Sequence, residues 1–154
     1  MRILSVRQPW AWLLVHGIKD IENRTYATHY RGPILIQASA APAKAFGVLL
    51  EELRSRFSIP FPEIWTYGAV VGQVELVECV IASSSPWFEG PIGWQIANAR
   101  PCYPFPAKGA LGLRQAPQEL IERVRLTTHD HDTVRLQDSS KSRLACSWFM
   151  GVPT

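Results

Sequence analysis

The stretch Leu4-Ser5-Val6-Arg7-Gln8-Pro9-Trp10-Ala11-Trp12, with its continuation Gly17-Ile18-Lys19-Asp20-Ile21-Glu22-Asn23-Arg24, is the most organised part of this 154-residue chain. Arg2 to Val6 reads as a short strand. Pro9 suits the first position of a helix, where its missing N–H costs nothing, and Gly17 suits the end, where left-handed backbone is needed. Between them Trp10, Leu13 and Leu14 form an apolar stripe at helical spacing. Residues 19–25 read as extended, with Asp20, Glu22 and Arg24 on one face of a regular strand. Lys19 falls at the turn, where parity does not fix its direction. This strand–helix–strand unit places Arg7, Lys19, Glu22 and Arg24 around one short helix, with two tryptophans among them.

Working outward, Pro33 to Gln37 is a second apolar strand. Phe46, Leu49, Leu50, Leu53 and Phe57 recur at helical intervals and predict a helix from about Pro42 to Arg56. Lys44, Glu51, Glu52 and Arg54 supply its wet side, and Ile59-Pro60-Phe61-Pro62 ends it. Gly68 to Cys79 is the strongest strand, with Val70, Val74 and Leu76 on one parity and Gln73 and Glu75 on the other. Glu78 breaks the alternation and marks a bulge or the strand's end. Shorter strands are expected at Ile92–Ile96 and Ala110–Leu113. Pro101, Pro104 and Pro106 predict an irregular loop between them, because proline cannot serve an interior ladder. Residues 117–125 suit a last helix, and no periodicity organises 127–147. The expected fold class is α+β: a small mixed β-barrel flanked by two or three helices. Residues 1–125 form the domain, and 126–154 form a C-terminal extension whose order the sequence leaves open.

The length suits one domain, and a hydrophobic content of 47% supports a real core. No apolar run approaches the roughly 18 residues of a membrane helix, and the N-terminus lacks the order of a signal peptide. A cytoplasmic location without membrane attachment is the expectation. Cys79, Cys102 and Cys146 are an odd set with no CxxC pair, which suggests reduced, inert thiols rather than a disulfide framework or zinc ribbon. A net charge of +3 does not by itself demand a polyanion. The six tryptophans can stack on bases, although filling the core is the commoner use of each.

Two constellations carry chemistry. In the first, Arg7, Lys19 and Arg24 offer the cations that phosphate or base-edge recognition requires. Glu22 beside Lys19 makes a pair able to exchange protons, and an ordinary ion-pair network around a helix end explains the same spacing. The second is Gly93-Trp94-Gln95 with Tyr103-Pro104-Phe105-Pro106-Ala107-Lys108-Gly109, where a proline-stiffened loop can hold Lys108 over a groove at low entropic cost. The His129-Asp130-His131-Asp132 cluster lies in an aperiodic polar stretch and reads as solvated chain. Ser5 and Ser39 lack triad partners, the cysteines lack activating neighbours, and neither a phosphate-loop nor a dinucleotide-binding motif occurs.

The ordered series resembles the ASCH domain family of the PUA-like superfamily. It comprises Leu4 to Ala11, Gly17 to Arg24, Tyr30-Arg31-Gly32-Pro33-Ile34-Leu35-Ile36, Gly68 to Leu76, Gly93 to Ile96, and Pro104 to Gly109. The resemblance spans roughly residues 3–114 and implies a small β-barrel with a cleft beside the first helix. It also implies binding of RNA or a modified nucleoside in that cleft. Some relatives are described as ribonucleases, and a compact bacterial branch cleaves the acetyl amide of acetylated cytidine with a Lys and a Thr in a GxKxxTxR motif. Here the lysine is Lys19, but the threonine position holds Glu22, which removes the hydroxyl. Relatives often carry His in the strand that reads Ile36-Gln37-Ala38-Ser39 here, and Gln37 removes that imidazole base.

These departures favour binding over catalysis. The expected ligand-contacting residues are Ser5, Arg7, Gln8, Trp10, Arg24, Trp94 and Lys108. The alternative is a hydrolase acting on RNA phosphodiesters or an acylated nucleoside through Lys19 and Glu22. No cofactor and no metal site are expected, and the oligomeric state is left open.

Overall fold

In the computed structural model, residues 1–127 are described. The elements are β1 (Arg2–Val6), α1 (Trp10–Val15), β2 (Ile21–Arg24), β3 (Gly32–Ala38), α2 (Phe46–Phe57), β4 (Ala69–Val80), β5 (Ile92–Pro106) and β6 (Arg114–Gln115). A third helix, α3, covers 118–127. The strands form one mixed sheet in the order β2-β5-β4-β3-β1-β6, curled into a half-barrel. Only β1 and β3 run parallel, and the other pairs are antiparallel.

Period-two alternation decides which face each strand buries. Leu4, Val6, Ile34, Ile36 and Ala38 meet Ala11, Leu14 and Val15 of α1 in the main core. Ile3, Leu35, Val70 and Phe105 take the other parity and meet Ile121 and Val124 of α3. A third cluster joins Leu13, Ile21, Leu53, Ile59 and Trp87, which fastens α2 to the outer side of α1.

α1 is shorter than the proline-to-glycine span suggested, and Pro9 is its N-cap rather than its first helical residue. α2 starts at Phe46 instead of near Pro42, because Ala45 takes left-handed backbone (φ 51°) and interrupts any continuous helix. Of the bulge or strand end expected at Glu78, the structure shows the bulge, a register shift between Leu76 and Glu78, and the strand runs on to Val80.

The proline-rich segment corrects the expectation of a loop. Pro101, Pro104 and Pro106 all lie inside β5, which runs 15 residues. Its partner β2 reaches only as far as Gln95, so beyond that point β5 is an edge strand. An edge strand tolerates proline wherever the missing N–H would face solvent, and prolines blunt an exposed edge. Ala110–Leu113 is also not a strand. The Ala110 N–H donates to Ser5 Oγ, Gly112 turns left-handed (φ 73°), and pairing resumes only at Arg114. No described helix is long and apolar enough to cross a membrane.

Cys102 projects into the α3 side of the core and is 6% exposed. Burial pushes its thiol up from 9.0 to about 11, against a smaller opposing hydrogen bond involving Thr127. Between those values the unfolded chain releases a proton that the folded chain keeps, so stability must fall as pH rises from 9.0 towards about 11. Denaturant titrations across that range should show the fall, and Cys102→Ala should flatten it.

Candidate functional site

The site begins at the C-terminus of α1. Gly17, at φ 70°, lets its N–H reach Leu14 O (3.1 Å) while Ile18 N–H reaches Leu13 O (3.0 Å). This paired closure satisfies the last helical carbonyls. The Lys19 N–H also donates to Leu13 O, so the side chain that parity could not place is turned inward beside β2. Lys19 Nζ donates to Ile21 O and, at 2.8 Å, to Glu22 Oε2. Glu22 Oε1 lies 3.0 Å from Arg24 Nη2. One carboxylate thus bridges two cations, with Lys19, Glu22 and Arg24 side chains 5%, 11% and 21% exposed. Aromatic rings flank the bridge: Lys19 Nζ is 5.7 Å from the Trp10 ring centroid, and the Arg24 guanidinium is 5.7 Å from that of Trp94. Arg24 Nε is buried without a hydrogen-bond acceptor.

The opposite wall is the loop after β5. Gln37 Nε2 donates to Ala107 O (3.0 Å), and Ser5 Oγ accepts the Ala110 N–H (3.1 Å). Between these ties a Cβ at Gly109 would lie 2.9 Å from Gln37 Oε1 and 3.2 Å from Ser5 Oγ. Glycine lets the loop sit directly on these two polar side chains, with Lys108 beside it. The open cleft measures about 670 Å³ and is lined by Arg7, Trp10, Glu22, Arg24 and Lys108 among others. Glu22 is the one carboxylate among its described lining residues. A recess of about 160 Å³, also bordered by Trp10 and Glu22, adds Lys19, Trp87 and Glu89.

The structure therefore brings Ser5, Arg7, Trp10, Glu22, Arg24 and Lys108 to one cleft, with Lys19 in the adjoining recess. Two of the expected ligand contacts are instead buried away from the cleft. Gln8 is 2% exposed and works as a clasp, donating to Thr66 O (3.0 Å) and accepting from Trp12 N (2.9 Å). Trp94 is fully buried, its indole N–H donates to Tyr26 O (3.0 Å), and it supports Arg24 from within the core. Neither lines the cleft.

Two residues escaped the sequence reading as contributors. Asn23 donates to Trp87 O (2.9 Å) and accepts the N–H groups of Glu89 (2.9 Å) and Gly90 (3.2 Å), so it pins the β4–β5 loop against the recess. Its place between Glu22 and Arg24 was the available signal. Ser39, just past β3, lines the cleft, and nothing local marks it. The His129–Asp132 cluster, Cys146 and the extension beyond residue 127 lie outside the described residues.

The ASCH domain family model matches residues 4–105. The chain belongs to the ASCH domain family. This ASCH domain is 37% identical over 83 residues to human activating signal cointegrator 1, covering 50% of this chain and 14% of that protein. The mouse protein of the same name is 35% identical over 83 residues with the same coverage. The chain thus spans only a small part of the curated relatives it matches. A crystal structure of a ZmASCH point mutant from Zymomonas mobilis is 14% identical with a TM-score of 0.48, over 80% of this chain and 94% of that one.

Proposed function

We propose that this ASCH domain binds RNA in the cleft between α1, β2 and the 107–112 loop. The observation that carries the reading is the convergence of Arg7, Arg24 and Lys108 on one cleft whose only described carboxylate, Glu22, is already bridged by Lys19 and Arg24. Such a cleft is net positive and suits phosphate. Trp10, half-buried in the same cleft, supplies a face for a base, a contact worth about 1–3 kcal/mol.

Equilibrium titration with a short single-stranded RNA at several salt concentrations tests this. Arg7→Ala and Lys108→Ala are each expected to weaken binding to all sequences alike and to lower the salt slope by about 1. Trp10→Ala should weaken binding with little change in slope. Unchanged slopes in both cation variants would show that phosphates bind elsewhere.

A second reading, hydrolysis of RNA or an acylated nucleoside, draws on the 2.8 Å Lys19–Glu22 contact in the small recess. It ranks below binding because Glu22 has both oxygens engaged. Turnover by the wild type that disappears in Lys19→Ala, at a temperature where the variant remains folded, would reverse that ranking.

A further inference from the structure

A second depression, of about 510 Å³, lies beside the cleft and is lined by Arg2, Tyr26, Thr28, His29, Tyr30 and Leu113 among others. Their linings alternate along the chain. Arg24 and Gly112 line the cleft, whereas Tyr26 and Leu113 line the depression. A Cβ built on Gly112 would lie 3.9 Å from the Tyr26 hydroxyl, so Tyr26 reaches from the depression to the rim of the cleft at Gly112. It is 41% exposed and stands perpendicular to the buried Trp94, with ring centroids 5.4 Å apart.

The chemistry of the depression matches that of the cleft. No carboxylate lines it. Arg2 lies with its guanidinium 5.5 Å from the Tyr30 ring centroid. The acid nearby, Glu78, is paired to Arg31 at 2.5 Å. Cations and part-exposed rings without competing acids form a track that a single strand can follow with its backbone and bases together.

The spacing sets the length. β1 starts at Arg2 in the depression and ends at Val6 in the cleft. Its four residue steps cover about 13 Å at roughly 3.3 Å each. At about 3.4 Å per stacked nucleotide, that distance holds about four nucleotides. From these observations we infer that the ligand is a single-stranded RNA of several nucleotides, running from the cleft over Tyr26 to Arg2, rather than a lone nucleoside. This inference rests on the RNA-binding reading above and adds a second contact surface to it.

The test is fluorescence-anisotropy titration of the full chain with a dinucleotide, a tetranucleotide and an octanucleotide of RNA. Wild type is expected to gain at least about tenfold in affinity from dinucleotide to octanucleotide, as one added stacking contact would supply. Tyr26→Ala should keep the wild-type dinucleotide affinity and lose most of the gain. Arg2→Gln, which leaves Tyr26 in place, should do the same with a shallower salt slope for the octanucleotide. Unaltered dinucleotide binding shows that each variant is folded. A wild-type affinity flat with length, or a gain that survives both substitutions, overturns the track and leaves the cleft reading standing. Absence of binding at every length overturns both.

Discussion

Glu22→Ala is expected to destabilise this domain by about 3–5 kcal/mol, the usual cost of removing one partner from a buried ion pair. The carboxylate holds Lys19 and Arg24 at once, and the Lys19 side chain is only 5% exposed. Without it two cations face each other across a cavity, with Ile21 O left as the acceptor for Lys19. Thermal unfolding should show Tm falling by about 10 °C or more for a domain of this size. The double variant Lys19→Met/Glu22→Met separates charge from packing, because replacing a buried pair with apolar groups is often neutral. That variant should recover much of the lost stability, although Arg24 remains without its partner. RNA affinity should stay below wild type, since Arg24 is no longer aimed by the carboxylate. A single variant as stable as wild type would show that the bridge contributes nothing to the fold.

The second large effect is expected at Gly72, where α1 meets β4. A Cβ at this position would lie 2.5 Å from Arg100 O and 2.8 Å from both Val15 Cβ and Val15 Cγ1. One of these atoms is backbone and another sits at the base of a stiff β-branched side chain, so neither can yield easily. Gly72→Ala should therefore cost at least the roughly 1–3 kcal/mol of ordinary overpacking, read as a lower urea midpoint with unchanged slope. Adding Val15→Ala should return only part of it, because the Arg100 carbonyl stays in place. α1 carries Trp10 at one end and delivers Lys19 at the other, so RNA affinity should fall with stability. Full tolerance of Gly72→Ala would mean that α1 does not rest on β4 as closely as described.

Local patterns were enough for much of this fold. The alternation in β4 and the heptad-like stripe of α2 each bury a face, so their apolar residues report it directly. Gly17 announced the end of α1 because left-handed backbone is costly for any other residue. The prolines of β5 misled for an instructive reason. Their exclusion from interior ladders is sound, but whether a strand is interior depends on where its neighbour stops, and β2 stops at Gln95. The same limit applied to Gln8 and Trp94. A motif residue that clasps the backbone and one that contacts a ligand look alike in one dimension, and only burial separates them.

The chain's own pattern determined most of the elements, the family and the set Arg7, Lys19, Glu22 and Arg24, because short-range spacing and residue type encode these. Tertiary structure alone decided that Lys108 returns across more than 80 residues to face Arg24, through Gln37 and Ser5 holding its loop. It alone paired both Glu22 oxygens with cations and brought the Tyr26 hydroxyl close to Gly112 at the rim of the cleft. The physical reason is that hydrogen bonds and ion pairs of this kind depend on distances set by sheet curvature and strand order, which no local repeat in the sequence records.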